Sequence, residues 1–320
     1  MKYKRWYYIL SLIFLLCVCL TGCGPSVEPG NTVYNRTVKS ADGAMVAVPD
    51  HPKRIIALSS AYDTILLGLV DTDRFAGISS LSTYEQYSME AEKAKQVKTR
   101  MRSYSLERII ALHPDLVIAP PEYITSDVIE GLRHVGIPTV VVNTGKTVDE
   151  VIHNVQDISE IVNEAEIGRE HVDTIHKQIA ELDRLGKTIP LNERRRVLFV
   201  SSMDGYTGTG SLFDDMCRYM SIYNAPSAAG YAPHTSFTDE RVIEMNPDYI
   251  FIPSYKGMDK GLSDRFLNTP AFQSLPAMKN NQVQSLPASY LYASNQHIGG
   301  EAMLSIMYIV YPQLERNFHE

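Results

Sequence analysis

Tyrosines recur at the ends of short apolar runs in this sequence. The chain has 19 tyrosines, whereas its single tryptophan, Trp6, lies within the first few residues. A tyrosine ring can cover a large planar or chelated ligand while its hydroxyl forms a hydrogen bond. Other tyrosines, such as Tyr249 and Tyr308, fit the alternative of ordinary core or surface aromatics. The residues of these run ends that are predicted to contact a ligand are Ser60, Tyr62, Tyr84, Tyr104, Tyr123, Met203, Tyr206, Tyr231, His234, Ser236, Tyr255, Tyr290 and Tyr292.

Three basic residues lie close together in a chain that is acidic overall. Lys98, Arg100 and Arg102 are spaced two apart, while the formal net charge of the chain is −7. Guanidinium groups bind carboxylates and phosphates through paired hydrogen bonds, so Arg100 and Arg102 are predicted to contact an anionic ligand. The alternative is a solvated loop face. The acidic balance argues against nucleic acid as a partner, because phosphate binding requires a basic surface.

Metal and catalytic motifs are weak in this sequence. The nine histidines are scattered without HxxxH or HxH spacing, so no free-metal site is predicted. His234 and His297 lie near predicted ligand loops, where either of them, or a tyrosine, could ligate a haem iron. The glycine-rich segment at residues 205–210 lacks the spacing of a phosphate loop, and neither GxSxG nor HExxH occurs. The chain is therefore predicted not to be an enzyme and to carry no cofactor.

One phrase occurs twice in the chain. LERIIALHPDLVIAP covers residues 106–120, and DERVIEMNPDYIFIP covers residues 239–253 at a constant offset of 133. In each copy the apolar spacing predicts a helix, the proline ends that helix, and an apolar run predicts the next strand. The run from Arg54 to Ser60 is likewise echoed by the run from Arg196 to Ser202.

The remaining pattern predicts two α/β lobes. A hairpin is expected around Asp42-Gly43, and strands then alternate with helices as parallel βαβ units require. Thr147 and Glu150 have the spacing of a capping box, which opens a long proline-free helical strut in which Gly168 is expected to separate two helices. The prediction is two similar Rossmann-like lobes, at residues 33–146 and 189–320, joined by the helical segment 147–188 with the ligand cleft between the lobes.

The first residues resemble an export signal rather than part of the fold. Lys2, Lys4 and Arg5 precede an apolar stretch that ends at Leu20-Thr21-Gly22-Cys23, which resembles a bacterial lipobox. We expect a signal peptide at residues 1–22, lipidation of Cys23 and a tether at residues 23–32, so that the mature protein is extracytoplasmic and lipid-anchored. Only Cys217 then remains, and its apolar surroundings predict a buried structural thiol.

These segments together resemble the substrate-binding lipoproteins of ABC importers for iron complexes and vitamin B12. The resemblance rests on the hairpin, on the run Pro52-Lys53-Arg54-Ile55-Ile56, on the repeated phrase and on the strut, and it covers nearly all of residues 33–320. It implies a class III periplasmic-binding fold and a permease dimer with its ATPase as partners. The implied ligand is a ferric siderophore, with cobalamin or haem as alternatives. A sensory or cell-surface module is the more distant alternative, and a monomer is expected.

The resemblance also implies a role for the glutamate near the start of each repeat. In this family the equivalent residues pair with arginines of the permease, which assigns permease docking to Glu107 and Glu240. One carboxylate per lobe at a helix start suits steering and registry more than affinity. The alternative is an ordinary first-turn carboxylate that interacts favourably with the helix dipole.

Overall fold

Short apolar runs form the strands of this protein. The structure, a computed structural model, describes residues 34–201, 207–231, 238–254 and 259–316. The strands are β1 (Arg36–Lys39), β2 (Met45–Val48), β3 (Ile55–Ala57), β4 (Phe75–Ser79), β5 (Arg100–Met101), β6 (Leu116–Ala119), β7 (Thr139–Val141), β8 (Arg196–Phe199), β9 (Tyr223–Asn224), β10 (Tyr249–Ser254) and β11 (Val283–Pro287).

Helices alternate with these strands and cover the sheets. They are α1 (Ser60–Leu69), α2 (Ala91–Ala94), α3 (Leu106–Ile110), α4 (Ser126–His134), α5 (Val148–Ile161), α6 (Ala165–Gly186), α7 (Leu212–Tyr219), α8 (Ala225–Ala228), α9 (Asp239–Met245), α10 (Asp259–Asn268), α11 (Pro276–Lys279), α12 (Ala288–Leu291), α13 (Ser305–Val310) and α14 (Pro312–Arg316). A π-helix covers Ile298–Leu304 and leads directly into α13.

Two parallel sheets confirm the predicted α/β class. The first lobe is built on a five-stranded sheet in the order β5-β4-β3-β6-β7, and the second on a four-stranded sheet in the order β11-β10-β8-β9. Strands β3, β4, β6 and β7 are buried along their whole length, as expected for parallel sheets covered on both faces. The predicted hairpin is present as β1 and β2, paired antiparallel. The short edge strand β5 was not predicted.

The repeated phrase has the same structure in both lobes. Asp115 follows the first copy of the proline, and its carboxylate accepts the backbone N–H groups of Lys53 and Arg54 at 2.7 and 2.9 Å. Asp248, its counterpart 133 residues later, accepts the N–H of Arg196 at 2.8 Å. The repeated aspartate therefore ties the start of one central strand to the start of the neighbouring strand in each sheet.

Helices α5 and α6 connect the two lobes. Thr147 caps α5 as predicted, since its hydroxyl accepts the N–H of Glu150 at 3.1 Å, and the Glu150 carboxylate accepts the N–H of Lys146 at 2.7 Å. The predicted break at Gly168 is wrong. The chain turns at Asn163, whose φ of 62° lies in the left-handed region that asparagine tolerates, and Gly168 lies inside α6.

Gly168 allows two helices to pack closely and does not interrupt a helix. A Cβ atom at this position would overlap both the hydroxyl and the Cβ of Ser159 on α5, well inside van der Waals contact. Ser159 is fully buried, so it has no solvent side toward which it could move. The absence of a side chain at residue 168 therefore permits the close approach of α5 and α6.

Replacing Gly168 with alanine is expected to destabilise the protein. The overlap with Ser159 should lower the free energy of unfolding by about 1–3 kcal/mol, despite the better helix propensity of alanine. Gly261→Ala in α10 is the matched control, because no atom lies within 4 Å of its added Cβ and the change should be neutral or slightly stabilising. Chemical denaturation of both variants measures the difference, and equal stabilities would contradict the packing role.

Candidate functional site

The two lobes meet along a polar and aromatic seam beyond the carboxyl ends of their strands. The backbone N–H of Ser289 donates to the carbonyl of Gln86 at 2.9 Å. The side-chain amide of Gln296 donates to the carbonyl of Thr64 at 2.8 Å, although 232 residues separate the two in sequence. Ligands of open α/β sheets bind at these strand ends, so this is the expected position of a ligand site.

Tyr292 is the best-positioned of the predicted ligand contacts. Its hydroxyl forms a 2.6 Å hydrogen bond with Ser201, which lies just beyond the end of β8. Its ring packs edge-on against Phe199 at 5.3 Å and lies 6.5 Å from the ring of Tyr87 in the first lobe. Burial raises the pKa of Tyr292 to about 12, so its hydroxyl stays protonated and can donate at neutral pH. This arrangement offers a half-buried aromatic surface shared by both lobes.

The first lobe supplies a second group of predicted contacts. Tyr84 and Arg100 line the same cavity, of about 510 Å³, together with Glu85, Gln86 and Lys95. The guanidinium of Arg100 donates to the carbonyl of Lys95 at 3.0 Å. The structure therefore places one predicted tyrosine and one predicted arginine in a cavity beside the seam, because Gln86 lines that cavity and also bonds across the seam.

Other predicted contacts of the first lobe differ in exposure. Burial raises the pKa of Tyr104, and the nearby carboxyl group of Asp63 raises it further. Arg102 and Tyr123 are exposed, and Tyr123 keeps 55% of its surface accessible. Arg102 and Tyr104 follow β5, a strand that was not predicted, and Tyr123 follows β6, whereas the roles of all three residues stay predictions.

Two predicted contacts have their described partners outside the seam. Tyr62 is a core residue rather than a cleft residue, because its ring is fully buried and its hydroxyl donates to the carbonyl of Val142 at 2.8 Å. Tyr231 lies beside α9, where its hydroxyl hydrogen bonds to Glu244 and the guanidinium of Arg241 lies 5.5 Å from its ring centre. Tyr62 points inward because α1 presents that face to the core.

Several predicted residues lie outside the part of the chain that the structure describes. These are Cys23, Met203, Tyr206, His234, Ser236 and Tyr255. Their predicted roles stay predictions. Cys217 is described, and it is fully buried as expected for a structural thiol.

Several residues of the seam were not predicted from the sequence, among them Tyr87 and Glu90. Tyr87 follows Tyr84 by three residues, and that spacing within one turn was the available signal. Glu90 accepts a hydrogen bond from the imidazole of His297 across the seam at 3.1 Å. Its role depends on a partner more than 200 residues away, so no local pattern could have shown it.

His297 lies within a cluster of charged groups from both lobes. Its ring contacts Glu90 of the first lobe and Glu301 of the π-helix, each at 3.1 Å, and Lys93 lies 3.0 Å from Glu90. Burial alone would lower the pKa of His297, but the hydrogen bonds with Glu301 and Glu90 outweigh it and raise this pKa to about 9. His297 is therefore a cation at neutral pH that joins the lobes. Both of its ring nitrogens contact carboxylates, so neither is open to a haem iron.

The two glutamates of the repeat occupy the same position on equivalent helices. Glu107 and Glu240 are each the second residue of their helix, after the capping residues Ser105 and Thr238. Both side chains are exposed. Hydrogen bonds from its own backbone N–H and from Thr238 hold the pKa of Glu240 below its ordinary value, so this carboxylate remains charged.

Comparison with known proteins identifies the family. Residues 55–290 match the model of the periplasmic binding protein family, and the chain belongs to that family. It is thus a substrate-binding protein of an ABC importer, which implies a ligand together with a permease and an ATPase as partners. Proteins of this family bind their substrates and are not enzymes.

Individual relatives share about a quarter of the sequence. An uncharacterized ABC transporter substrate-binding lipoprotein of Bacillus subtilis, YvrC, is 25% identical over 259 residues, which cover 77% of this chain and 80% of that protein. A vitamin B12-binding protein of Vibrio parahaemolyticus is 25% identical over 245 residues, which cover 75% of this chain and 82% of that protein.

Solved structures agree on the fold. The molybdate-binding protein MolA of Haemophilus influenzae has a TM-score of 0.74 at 19% identity, covering 88% of this chain and 93% of its own. The haem-binding protein RhuT of Roseiflexus sp. RS-1 has a TM-score of 0.71 at 21% identity, covering 82% of this chain and 99% of its own. Within the described part of the present chain, no helix combines the length and apolar character needed to cross a membrane.

Removing the imidazole of His297 is expected to change how stability depends on pH. The folded protein binds this proton more tightly than the unfolded chain, whose histidine has an ordinary pKa of 6.5. The histidine therefore contributes its full stabilisation below pH 6.5 and loses it as pH rises through about 9. Relative to His297→Gln, the wild-type protein should gain about 2 kcal/mol of unfolding free energy near pH 6, and this gain should vanish near pH 10.

The control for this experiment is His176→Gln, which removes an exposed histidine on α6. Urea denaturation at several pH values between 6 and 10 measures the unfolding free energy of all three proteins. A difference between wild type and His297→Gln that does not change across this range would contradict the role of the protonated imidazole.

Proposed function

We propose that this protein captures an organic metal complex, with cobalamin as the first candidate, and delivers it to the permease of an ABC importer. The observation that carries the proposal is the aromatic pair Tyr87 and Tyr292, one ring from each lobe, with the fully buried ring of Phe199 packed behind Tyr292. Such a surface suits a large ring system, because aromatic side chains bury much area and tolerate planar partners. The relatives named as vitamin B12-binding proteins support a corrinoid.

A ferric siderophore is the second candidate, and the basic cluster of the first lobe favours it. Arg100 and Arg102 are both exposed, and Arg100 lines the same cavity as Tyr84, in a chain whose net charge is −7. Arginines in such a position attract carboxylate or catecholate oxygens of an anionic chelate, whereas the largely neutral corrin ring needs few cations. Haem, with two carboxylates, would also use these arginines. The charge of the ligand therefore distinguishes the candidates.

The ligand is testable with Tyr292 as the probe. Cyanocobalamin, haemin, and one hydroxamate and one catecholate ferric siderophore are titrated into the purified full chain while visible absorbance is followed. We expect cyanocobalamin to bind with a Kd below about 10 μM, roughly 7 kcal/mol. Tyr292→Ala should weaken binding by about tenfold or more, because it removes a central aromatic contact, whereas Tyr292→Phe should have a smaller effect.

The matched control is Tyr223→Ala. This tyrosine is 37% exposed and lies on the edge strand β9, where its backbone N–H pairs with the carbonyl of Arg195 at the opposite end of the second sheet. Its removal should leave affinity unchanged. If an anionic siderophore binds more tightly than cyanocobalamin and Arg100→Ala abolishes that binding, the ferric siderophore replaces cobalamin as the first candidate. The absence of binding by all four compounds would refute the substrate class.

We also propose that Glu107 and Glu240 seat the loaded protein on the permease. Their equivalent positions, one on each lobe, support this role, because a permease dimer presents two equivalent partner sites. Exposed carboxylates of this kind steer association and set orientation while adding modest affinity. The surfaces around the two glutamates differ, since Asp239 and Glu244 add acidity only to the second one.

Charge reversal at these glutamates is expected to stop transport without affecting capture. Glu107→Arg and Glu240→Arg should each lower uptake of the bound ligand by about tenfold, and the double variant should abolish it, because like charges would then face each other. Ligand affinity of the purified variants should stay unchanged. Glu130→Arg is the control, since Glu130 is an exposed acid of α4 outside the repeat. Normal uptake by the double variant would refute docking through these residues.

A further inference from the structure

A buried aspartate lies directly beneath the first-lobe side of the seam. Asp63 is in the first turn of α1 and is 0% exposed. One carboxyl oxygen accepts both the backbone N–H of Ser79 and the hydroxyl of Ser82, each at 2.8 Å. The other oxygen is buried and has no hydrogen-bond partner among the described residues. Burying a carboxyl group with an unpaired oxygen opposes folding, so a role beyond stability is expected of it.

The partners of Asp63 begin the segment that carries the tyrosines of the seam. Ser79 ends β4, and Ser82 is the fully buried centre of the short 3₁₀ turn Leu81–Thr83. The chain then continues through hydrogen-bonded turns, in which the N–H of Tyr84 donates to Leu81 and the N–H of Tyr87 donates to Tyr84. The position of both tyrosines therefore depends on where Ser79 and Ser82 are held.

The next residue of α1 holds the other end of the same segment. The hydroxyl of Thr64 forms a 3.0 Å hydrogen bond with the buried hydroxyl of Ser88, and its carbonyl accepts the amide of Gln296 from the second lobe. Residues 79–88 are thus fastened to α1 at both ends, by Asp63 and by Thr64. Between these points, the carbonyl of Gln86 accepts the N–H of Ser289.

We propose that Asp63 is the positioning residue of the first-lobe ligand wall, which fixes segment 79–88 so that Tyr84 and Tyr87 face the bound metal complex. This inference rests on the proposed ligand-binding function. Asp63 itself does not touch the ligand, because it is fully buried beneath Ser79 and Ser82. It acts on the ligand only through the segment that it anchors.

The protonation of Asp63 indicates which substitution preserves this role. Burial raises the pKa of Asp63 to about 8, against the opposing effect of the Ser82 and Ser79 hydrogen bonds, so the carboxyl group is mostly neutral at pH 7. A neutral carboxyl group has one accepting oxygen and one donating O–H. An asparagine amide has one accepting oxygen and one donating N–H₂ in the same shape. Asp63→Asn should therefore keep both bonds, whereas Asp63→Ala loses them.

Hydrogen–deuterium exchange of the unliganded protein tests the anchoring directly. In Asp63→Ala the amides of residues 79–88 should exchange about tenfold faster than in the wild type, while those of the second lobe stay unchanged except at Ser289, whose N–H donates to Gln86. Asp63→Asn should restore slow exchange. Asp215→Ala is the matched control, because Asp215 is also a buried aspartate that accepts a backbone N–H, that of Val148 at 2.7 Å, away from this segment.

Titration with cyanocobalamin links the anchoring to binding. Asp63→Ala should raise the Kd by about tenfold and Asp63→Asn by less than about threefold, with Asp215→Ala near the wild-type value. Ser82→Ala keeps the Asp63 carboxyl group and removes one of the two hydrogen-bond donors to it. This variant should show smaller increases in exchange rate and in Kd, and it tests the proposal even if Asp63→Ala fails to fold. The proposal is overturned if hydrogen exchange at residues 79–88 is the same in these variants as in the wild type, or if Asp63→Asn behaves like Asp63→Ala. If the wild-type protein binds none of the four compounds, the proposed function fails while the exchange result still decides the anchoring.

Discussion

In both sheets, an aspartate carboxylate accepts hydrogen bonds from backbone N–H groups at the start of a neighbouring strand, and this contact fixes the two strands relative to each other. Asp115 and Asp248 follow Pro114 and Pro247, which come after α3 and α9, and each accepts N–H groups at the start of the neighbouring strand. This bond sets the register of the two central strands, and the register determines where all carboxyl ends in that sheet lie. The helix before each aspartate carries Glu107 or Glu240, so one local contact relates a proposed docking residue to the strand ends of the same lobe.

The lobes themselves are held by polar contacts rather than by apolar contacts alone. Thr64, Gln86 and Glu90 of the first lobe face Gln296, Ser289 and His297 of the second. Polar contacts of this kind are directional, because each hydrogen bond is lost when its partners move by about 1 Å. The seam therefore restricts how far the lobes can separate around a ligand, and binding need not depend on a wide opening and closing motion.

The sequence was informative where the burial of an element directly determines which residue types it can contain. Strand β6 begins and ends at the predicted residues, since a parallel strand buried on both faces must be an apolar run. The break in the strut was misplaced because Gly168 is a helix breaker by propensity, yet the close packing against Ser159 determines its use. Strand β5 escaped prediction because two residues carry no periodicity.

The candidate site was predictable only in part, for a related reason. Tyr84 and Tyr292 could be found from their positions after strands, and Arg100 from the basic cluster to which it belongs. Tyr62 satisfies the same criterion, yet the rotation of α1 turns it into the core, and that rotation depends on neighbours distant in sequence. Glu90 and Gln296 belong to contacts between residues more than 200 positions apart, and Asp63 contacts Ser82, 19 residues later, across a helix and a strand, so no local pattern shows these contacts.

The helices that join the lobes are each shared between two cores. In α5, Val148, Val151 and Ile152 pack in the core of the second lobe, whereas Val155, Ile158 and Ile161 pack in the core of the first. A chain built from two copies of one unit could have kept two independent folding domains. Here neither core is closed without the shared helices, so the loss of one lobe exposes apolar surface of the other. The two lobes are consequently coupled in stability, because a substitution in a shared helical face disturbs the packing of the core that it lines and the position of the other.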